Sequence, residues 1–150
     1  MEKNNHSNIL IIGGGCAGIS VATRLKSLKP DLSISVIEPS DKSLYQAAWT
    51  LVGAGAYNVD DTIKPMASVM PKYVNWIKDS AESFSPESNS VKTSNGDYSY
   101  DYLVVCPGLK LNFDGVSGLK ESLGKNNICT NYGSDTVSYT HLTLPTIMPV

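Results

Sequence analysis

The run Gly13-Gly14-Gly15-Cys16-Ala17-Gly18, followed twenty residues beyond its last glycine by Glu38, is where residue type and spacing point most clearly to chemistry. It has the form G-x-G-x-x-G, and the chemistry is that of binding. Gly13 allows a tight turn, Gly15 lets the backbone approach a diphosphate, and Gly18 lets the following helix pack close to the preceding strand. The amides of Cys16 and Ala17 would face phosphate oxygens, assisted by the positive end of the helix dipole. A carboxylate at Glu38 would accept the two hydroxyls of an adenosine ribose and would repel a 2′-phosphate.

Such a glycine pattern acquires meaning only between the right elements. Asn8 to Ile12 (NILII) is a short apolar run stopped by glycines, which predicts a parallel strand buried on both faces. Ile19, Ala22, Leu25 and Leu28 recur at helical spacing and predict a helix that packs on that strand and stops before Pro30. Ser33 to Glu38 (SISVIE) predicts the next strand, which ends on the acid. The unit specifies a dinucleotide, and on these residues FAD and NAD remain equally open because both contain adenosine diphosphate. Downstream, Tyr73 to Lys78 predicts a third strand. Short segments around Phe84, Val91 to Thr93 and Tyr98 to Tyr100 predict a β-meander with a hairpin turn at Asn95-Gly96. Tyr102 to Cys106 predicts a buried return strand closed by Pro107-Gly108, where Gly108 would let the chain pass close to a cofactor. This order matches two-dinucleotide-domain flavoproteins. The expected class is α/β, a Rossmann-like FAD-binding βαβ half-domain with a parallel sheet and a β-meander crossover, truncated before its catalytic part.

The bulk properties narrow the partners. At 150 residues the chain makes one domain. A net charge of −2 with scattered lysines and arginines gives no surface for nucleic acid or an anionic membrane. Cys16, Cys106 and Cys129 stand far apart without a Cys-x-x-Cys, which fits a reducing compartment and no metal site. The longest apolar run, Ile9 to Ile12, is far short of the roughly 20 residues that span a bilayer. No targeting signal is visible before it. His6 sits in a polar tail and is expected to be inert, and no Ser-His-Asp, metal or paired-carboxylate group is legible. Residues 137–150, VSYTHLTLPTIMPV, carry no Asp, Glu, Lys or Arg. Val137 to Thr146 match the translation of a transposon sequencing adapter, and Ile147, Met148 and Pro149 would be its variable barcode, so residues 1–136 are expected to be the N-terminal part of the FAD-binding domain and residues 137–150 a foreign tail, with His141 without meaning.

Several runs resemble the N-terminal third of sulfide:quinone oxidoreductases, and most of all their eukaryotic mitochondrial branch. They are Glu38-Pro39-Ser40, Tyr45-Gln46, Trp49-Thr50-Leu51-Val52-Gly53-Ala54-Gly55-Ala56, Lys64-Pro65, Trp76-Ile77-Lys78 and Tyr100-Asp101-Tyr102-Leu103-Val104-Val105. The family usually has proline where Ala47 stands and alanine where Cys106 stands. The resemblance implies FAD contacts from Cys16, Ala17 and Glu38, with Gln46 and the backbone of Ala81 added; on the residues alone Gln46 would be a solvated loop residue. Tyr45, Trp49 and Leu51 are expected to pack. It implies oxidation of sulfide to sulfane sulfur, which can pass to a small acceptor, with two electrons moving through FAD to quinone. It also implies peripheral membrane residence through C-terminal segments, at the mitochondrial inner membrane in a eukaryote and otherwise at the cytoplasmic membrane. The redox cysteine pair lies beyond residue 136 in this branch, so the 150-residue piece is expected to be inactive, with no catalytic residue of its own. Cys129 alone resembles the surroundings of an additional cysteine near the flavin in bacterial members. The alternative is a related flavoprotein, a type II NADH dehydrogenase or a flavocytochrome sulfide dehydrogenase, or a nucleotide-binding fragment without activity.

Overall fold

The computed structural model describes residues 5–125 and 128–137. The chain divides into two compact units, one of residues 1–43 and 65–108, the other of residues 44–64 and 109–150.

The first unit is built on β1 (His6–Ile12), α1 (Cys16–Leu28) and β2 (Ile34–Ile37), joined by β5 (Asn75–Ile77) and a β-meander of β6 (Ala81–Ser85), β7 (Ser90–Thr93) and β8 (Gly96–Val105). These six strands form one sheet in the order β5-β2-β1-β8-β7-β6. β5, β2, β1 and β8 run parallel, and β7 pairs antiparallel with both β8 and β6. The apolar run of β1 serves both faces of the sheet. Ile9 and Ile11 join Ala22, Ile34, Val36, Met66, Met70 and Val74 in one cluster, with Ile19 and Leu25 of α1 against it. Leu10 and Ile12 join Ile37, Ile77, Val91 and Tyr100 in the other. Alternation along a strand sends successive side chains to opposite faces, and each buried Ile or Leu contributes about 2 kcal/mol. A strand covered on both faces is held firmly, so β1 fixes the position of the glycine run attached to its carboxyl end.

The third meander segment and the return strand are not separate: β8 is one ten-residue strand whose first part, Gly96 to Ser99, pairs with β7 and whose later part pairs with β1 as far as Val105. No turn residue separates Tyr100 from Tyr102, and Asp101 merely points to the other face, so nothing interrupts the ladder. Nor is the return segment buried, because Tyr102 is 70 % and Val105 55 % exposed. Leu28, expected on the packed face of α1, is 61 % exposed, since the helix ends at that residue.

Between β2 and β5 the chain passes through β3 (Lys42–Leu44), α2 (Trp49–Gly53), β4 (Ile63–Pro65) and α3 (Met66–Val69), and β3 pairs with β4. Within the second unit, α2 buries Trp49 and Val52 with Val137, and the Trp49 Nε1 donates to Thr62 Oγ1 at 3.1 Å. Tyr45 and Leu51, expected to pack, are 55 % and 50 % exposed: Leu51 because so short a helix turns only one face inward, Tyr45 because it stands before that helix, at the head of the 3-10 turn Gln46–Ala48. Val137, first residue of the stretch read as foreign, is fully buried. Residues 138–150, including His141, lie outside the described residues. The unit also holds α4 (Leu119–Ser122).

Candidate functional site

The three glycines of the fingerprint meet three different surroundings. Gly13 has φ +102°, a conformation that L side chains rarely adopt, and a β-carbon there would collide with the Cys106 carbonyl oxygen. A β-carbon on Gly18 would collide with the Gly13 carbonyl oxygen and come within 3.3 Å of Ile11 Cγ2. Gly15 is the contrast: its φ of −72° suits any residue, and a β-carbon would meet no protein atom within 4 Å. Gly13 and Gly18 are demanded by the fold. Gly15 is not, and the space above it is open to a ligand.

Gly15 is the N-cap of α1 and has no side chain with which to cap it. The intrahelical pattern opens with the Ile19 amide donating to the Gly15 carbonyl at 3.1 Å. Before that residue, a helix leaves its amides without intrahelical partners. Cys16 and Ala17 are both exposed at this end. A 13-residue helix with bare amides at its positive end favours an anion.

Glu38 follows β2 and is half-buried. Its Oε2 accepts from the Gly14 amide at 2.8 Å and its Oε1 from the Ser40 amide at 2.7 Å. Its main chain is held as well: the amide donates to the Ile77 carbonyl at 3.0 Å, and the Trp76 indole Nε1 donates to the Glu38 carbonyl at 2.8 Å. The carboxylate is therefore oriented before any ligand arrives, and each oxygen retains acceptor capacity.

Beside this acid opens a cleft of about 360 Å³ whose lining includes Gly13, Glu38, Ala81, Phe84, Val105 and Pro107. The lining is mostly apolar, with the carboxylates of Glu38 and Asp79 the charged groups on it, a composition suited to a flat heteroaromatic ring carrying a sugar. Gly108, one residue further on, has φ +79°. Gly13, Gly15, Cys16, Ala17, Gly18, Glu38, Ala81 and Gly108 all belong to the first unit; Gln46 and Cys129 belong to the second. Gln46 is exposed in a 3-10 turn, Gln46–Ala48, and Cys129 is half-buried. Burial pushes the Cys106 thiol above its ordinary value of 9.0, so this sulfur stays protonated at neutral pH.

Sequence reasoning missed three participants. Gly14 must also be small, because a β-carbon there would come within 2.8 Å of Glu38 Cβ and Cγ. Trp76 anchors the main chain of Glu38. Asp79 lines the cleft and is 7 % exposed. The Ser94 hydroxyl, then Thr93, hold its carboxyl far below the usual carboxylate range. A depressed value means that the stabilising charge is fully present above the ordinary 3.8 and is lost only as pH falls towards the folded value.

One further expectation is corrected. His6 is not in a free tail; it lies in β1, where the parallel register sets it against Ser99. Its Nδ1 is 3.0 Å from Ser99 Oγ, and its Nε2 is 3.4 Å from Asp101 Oδ1, which makes a Ser-His-Asp cluster that spacing along the chain could not reveal. The His6 and Asp101 side chains are nearly half exposed, at 45 % and 47 %. Asp101 Oδ2 is also occupied by Asn8 Nδ2 at 2.8 Å, so the cluster reads as a cross-strand tie rather than a nucleophile in a cleft.

The pyridine nucleotide-disulphide oxidoreductase family model matches residues 7–137. The chain is 44 % identical over 150 residues to the mitochondrial sulfide:quinone oxidoreductase of Dictyostelium discoideum, covering 99 % of this chain and 33 % of that protein. It is 37 % identical over 137 residues to the mitochondrial enzyme of Mus musculus, covering 91 % and 30 %. The crystal structure of the sulfide:quinone oxidoreductase from Aquifex aeolicus superposes with a TM-score of 0.71 at 32 % identity, covering 93 % of this chain and 31 % of the other. The chain thus spans about a third of the length of the relatives it matches. The matched domain and these oxidoreductases are FAD-dependent flavoproteins. Fingerprint, strand–helix–strand unit and meander fall together within the matched residues, and the chain belongs to the pyridine nucleotide-disulphide oxidoreductase family.

Proposed function

We propose that residues 1–136 hold the adenosine diphosphate end of FAD in a sulfide:quinone oxidoreductase, and that residues 137–150 are a foreign tail whose first residue, the apolar Val137, packs with Trp49 and Val52. The observation that carries this reading is the open space above Gly15, at the bare end of α1, beside a carboxylate already oriented by the Gly14 and Ser40 amides. In it the amides of Cys16 and Ala17 hold the diphosphate and Glu38 accepts the ribose hydroxyls. Ala81 and Gly108 bring backbone to the cofactor, and Gln46 is a further proposed contact. When bound, FAD supplies two-electron acceptance and delivery to quinone. The net change is hydrosulfide, quinone and one proton to sulfane sulfur and quinol, with the sulfur taken by a cysteine pair beyond residue 136 and passed to a small acceptor.

The mitochondrial relatives support a mitochondrial location. Among the described residues no helix is long and apolar enough to cross a membrane. A peripheral seat on the inner membrane, through segments beyond residue 136, is the finer proposal. The test uses the complete polypeptide: sulfide should bleach its bound flavin and quinone should restore the colour, while NADH does neither. Bleaching by NADH and not by sulfide would contradict the reading.

A further inference from the structure

The chain leaving β5 reaches β6 through Lys78, Asp79 and Ser80, and this short segment borders two openings. On one side lies the cleft of about 360 Å³ beside Glu38; on the other lies a polar groove of about 640 Å³ lined by Asn75, Trp76, Asn95 and Tyr98, and Asp79 lines both. Packing alone therefore gives the segment little support. The ladder gives little more, because the β6–β7 register shifts between Ala81 and Ser83.

What does hold it is the Asp79 carboxylate. Oδ1 accepts from the Ser80 amide at 2.8 Å and from the Ser94 hydroxyl at 2.7 Å. Oδ2 accepts from the Asn95 amide at 3.0 Å and the Asn95 side-chain Nδ2 at 2.9 Å. Four donors, three of them from the β7–β8 turn, converge on one nearly buried charge, and hydrogen bonds to an ionised acceptor are the stronger kind.

We infer that Asp79 is a positioning residue for the adenine end of the cofactor: it ties the β7–β8 turn to the chain leaving β5 and so fixes the backbone of Ser80 and Ala81 as one wall of the cleft. The inference rests on the proposal that the cleft takes adenosine. The Ser94 and Asn95 donors bond Asp79 from the β7–β8 turn and are not among the residues lining the cleft, so loss of the tie acts on the wall at Ser80 and Ala81 and leaves α1 as it was.

The experiment uses the complete polypeptide stripped of flavin, with Asp79→Ala, Asp79→Asn and the milder Ser94→Ala, the last removing a single donor from an exposed turn. FAD is titrated directly; ADP and inorganic pyrophosphate are titrated as competitors. Asp79→Ala should weaken FAD and ADP alike by about tenfold, with Ser94→Ala about threefold in the same direction, while pyrophosphate stays within about twofold of the unaltered protein. The inference is overturned if FAD and ADP bind unchanged, Ser94→Ala and Asp79→Asn deciding the matter should Asp79→Ala not fold. It is equally overturned if pyrophosphate weakens in step with ADP, which is the mark of general loosening. An unaltered protein that binds neither FAD nor ADP would sink the cofactor proposal itself.

Discussion

At the carboxyl ends of β1 and β2 the chain leaves backbone groups bare: Gly15 has nothing above it, the first amides of α1 have no partners within the helix, and the one carboxylate present is aligned by two amides. At the amino ends of the same strands polar groups satisfy one another instead. Ser7 Oγ and Ser35 Oγ lie 2.6 Å apart, Asn75 Nδ2 donates to Ser35 at 3.1 Å, and His6, Ser99, Asn8 and Asp101 form their own tie. One sheet thus carries two polar ends of opposite design. A closed end saturates its donors with its own acceptors and so specifies strand order and register. The open end keeps donors in reserve, a cost tolerated where a ligand completes them. Polar residues alone do not mark a site; unspent hydrogen-bonding capacity does.

Substitutions at the two ends should act differently. The largest effect is expected at Gly18. Gly18→Val in the complete polypeptide should cost about 3 kcal/mol or more, because its side chain drives into the Gly13 carbonyl and Ile11. Chemical denaturation of the flavin-free protein measures it, and a loss below about 1 kcal/mol would show that α1 does not pack as closely as described. A smaller effect belongs to the closed end. Ser35→Ala strands the buried Ser7 hydroxyl and the Asn75 amide, which should cost about 1 to 2 kcal/mol of stability. FAD affinity should not change. Weakened FAD binding at unchanged stability would mean that the two ends are not independent.

Much of the open end was legible in the sequence, because its signals are local. A strand, a glycine run, a helix and a strand ending on an acid succeed one another without interruption, and local succession is what periodicity and turn chemistry report. The closed end was not legible. His6 meets Ser99 and Asp101 only through the β1–β8 register, a pairing of residues more than ninety positions apart. Asp79 escaped for the same reason, since its partners sit in a turn fifteen residues away and an acid after a strand carries no signal of its own. The single strand β8 reads as two segments in the sequence, because only the change of partner from β7 to β1 along it, which is not local, shows that the ladder continues through Asp101. Leu28, Tyr45 and Leu51 were read as packing residues from their apolarity. Their exposure comes from helix ends and short turns, which an apolar residue type does not disclose.

If the space above Gly15 is reserved for a ligand rather than required by the fold, Gly15→Val in the complete polypeptide should separate binding from stability. The backbone there is extended and no atom obstructs the new side chain, so the flavin-free protein should keep its stability to within about 1 kcal/mol. FAD affinity measured by flavin fluorescence should fall by about a hundredfold or more. A variant equally stable that binds FAD as tightly as the unaltered protein would contradict the account.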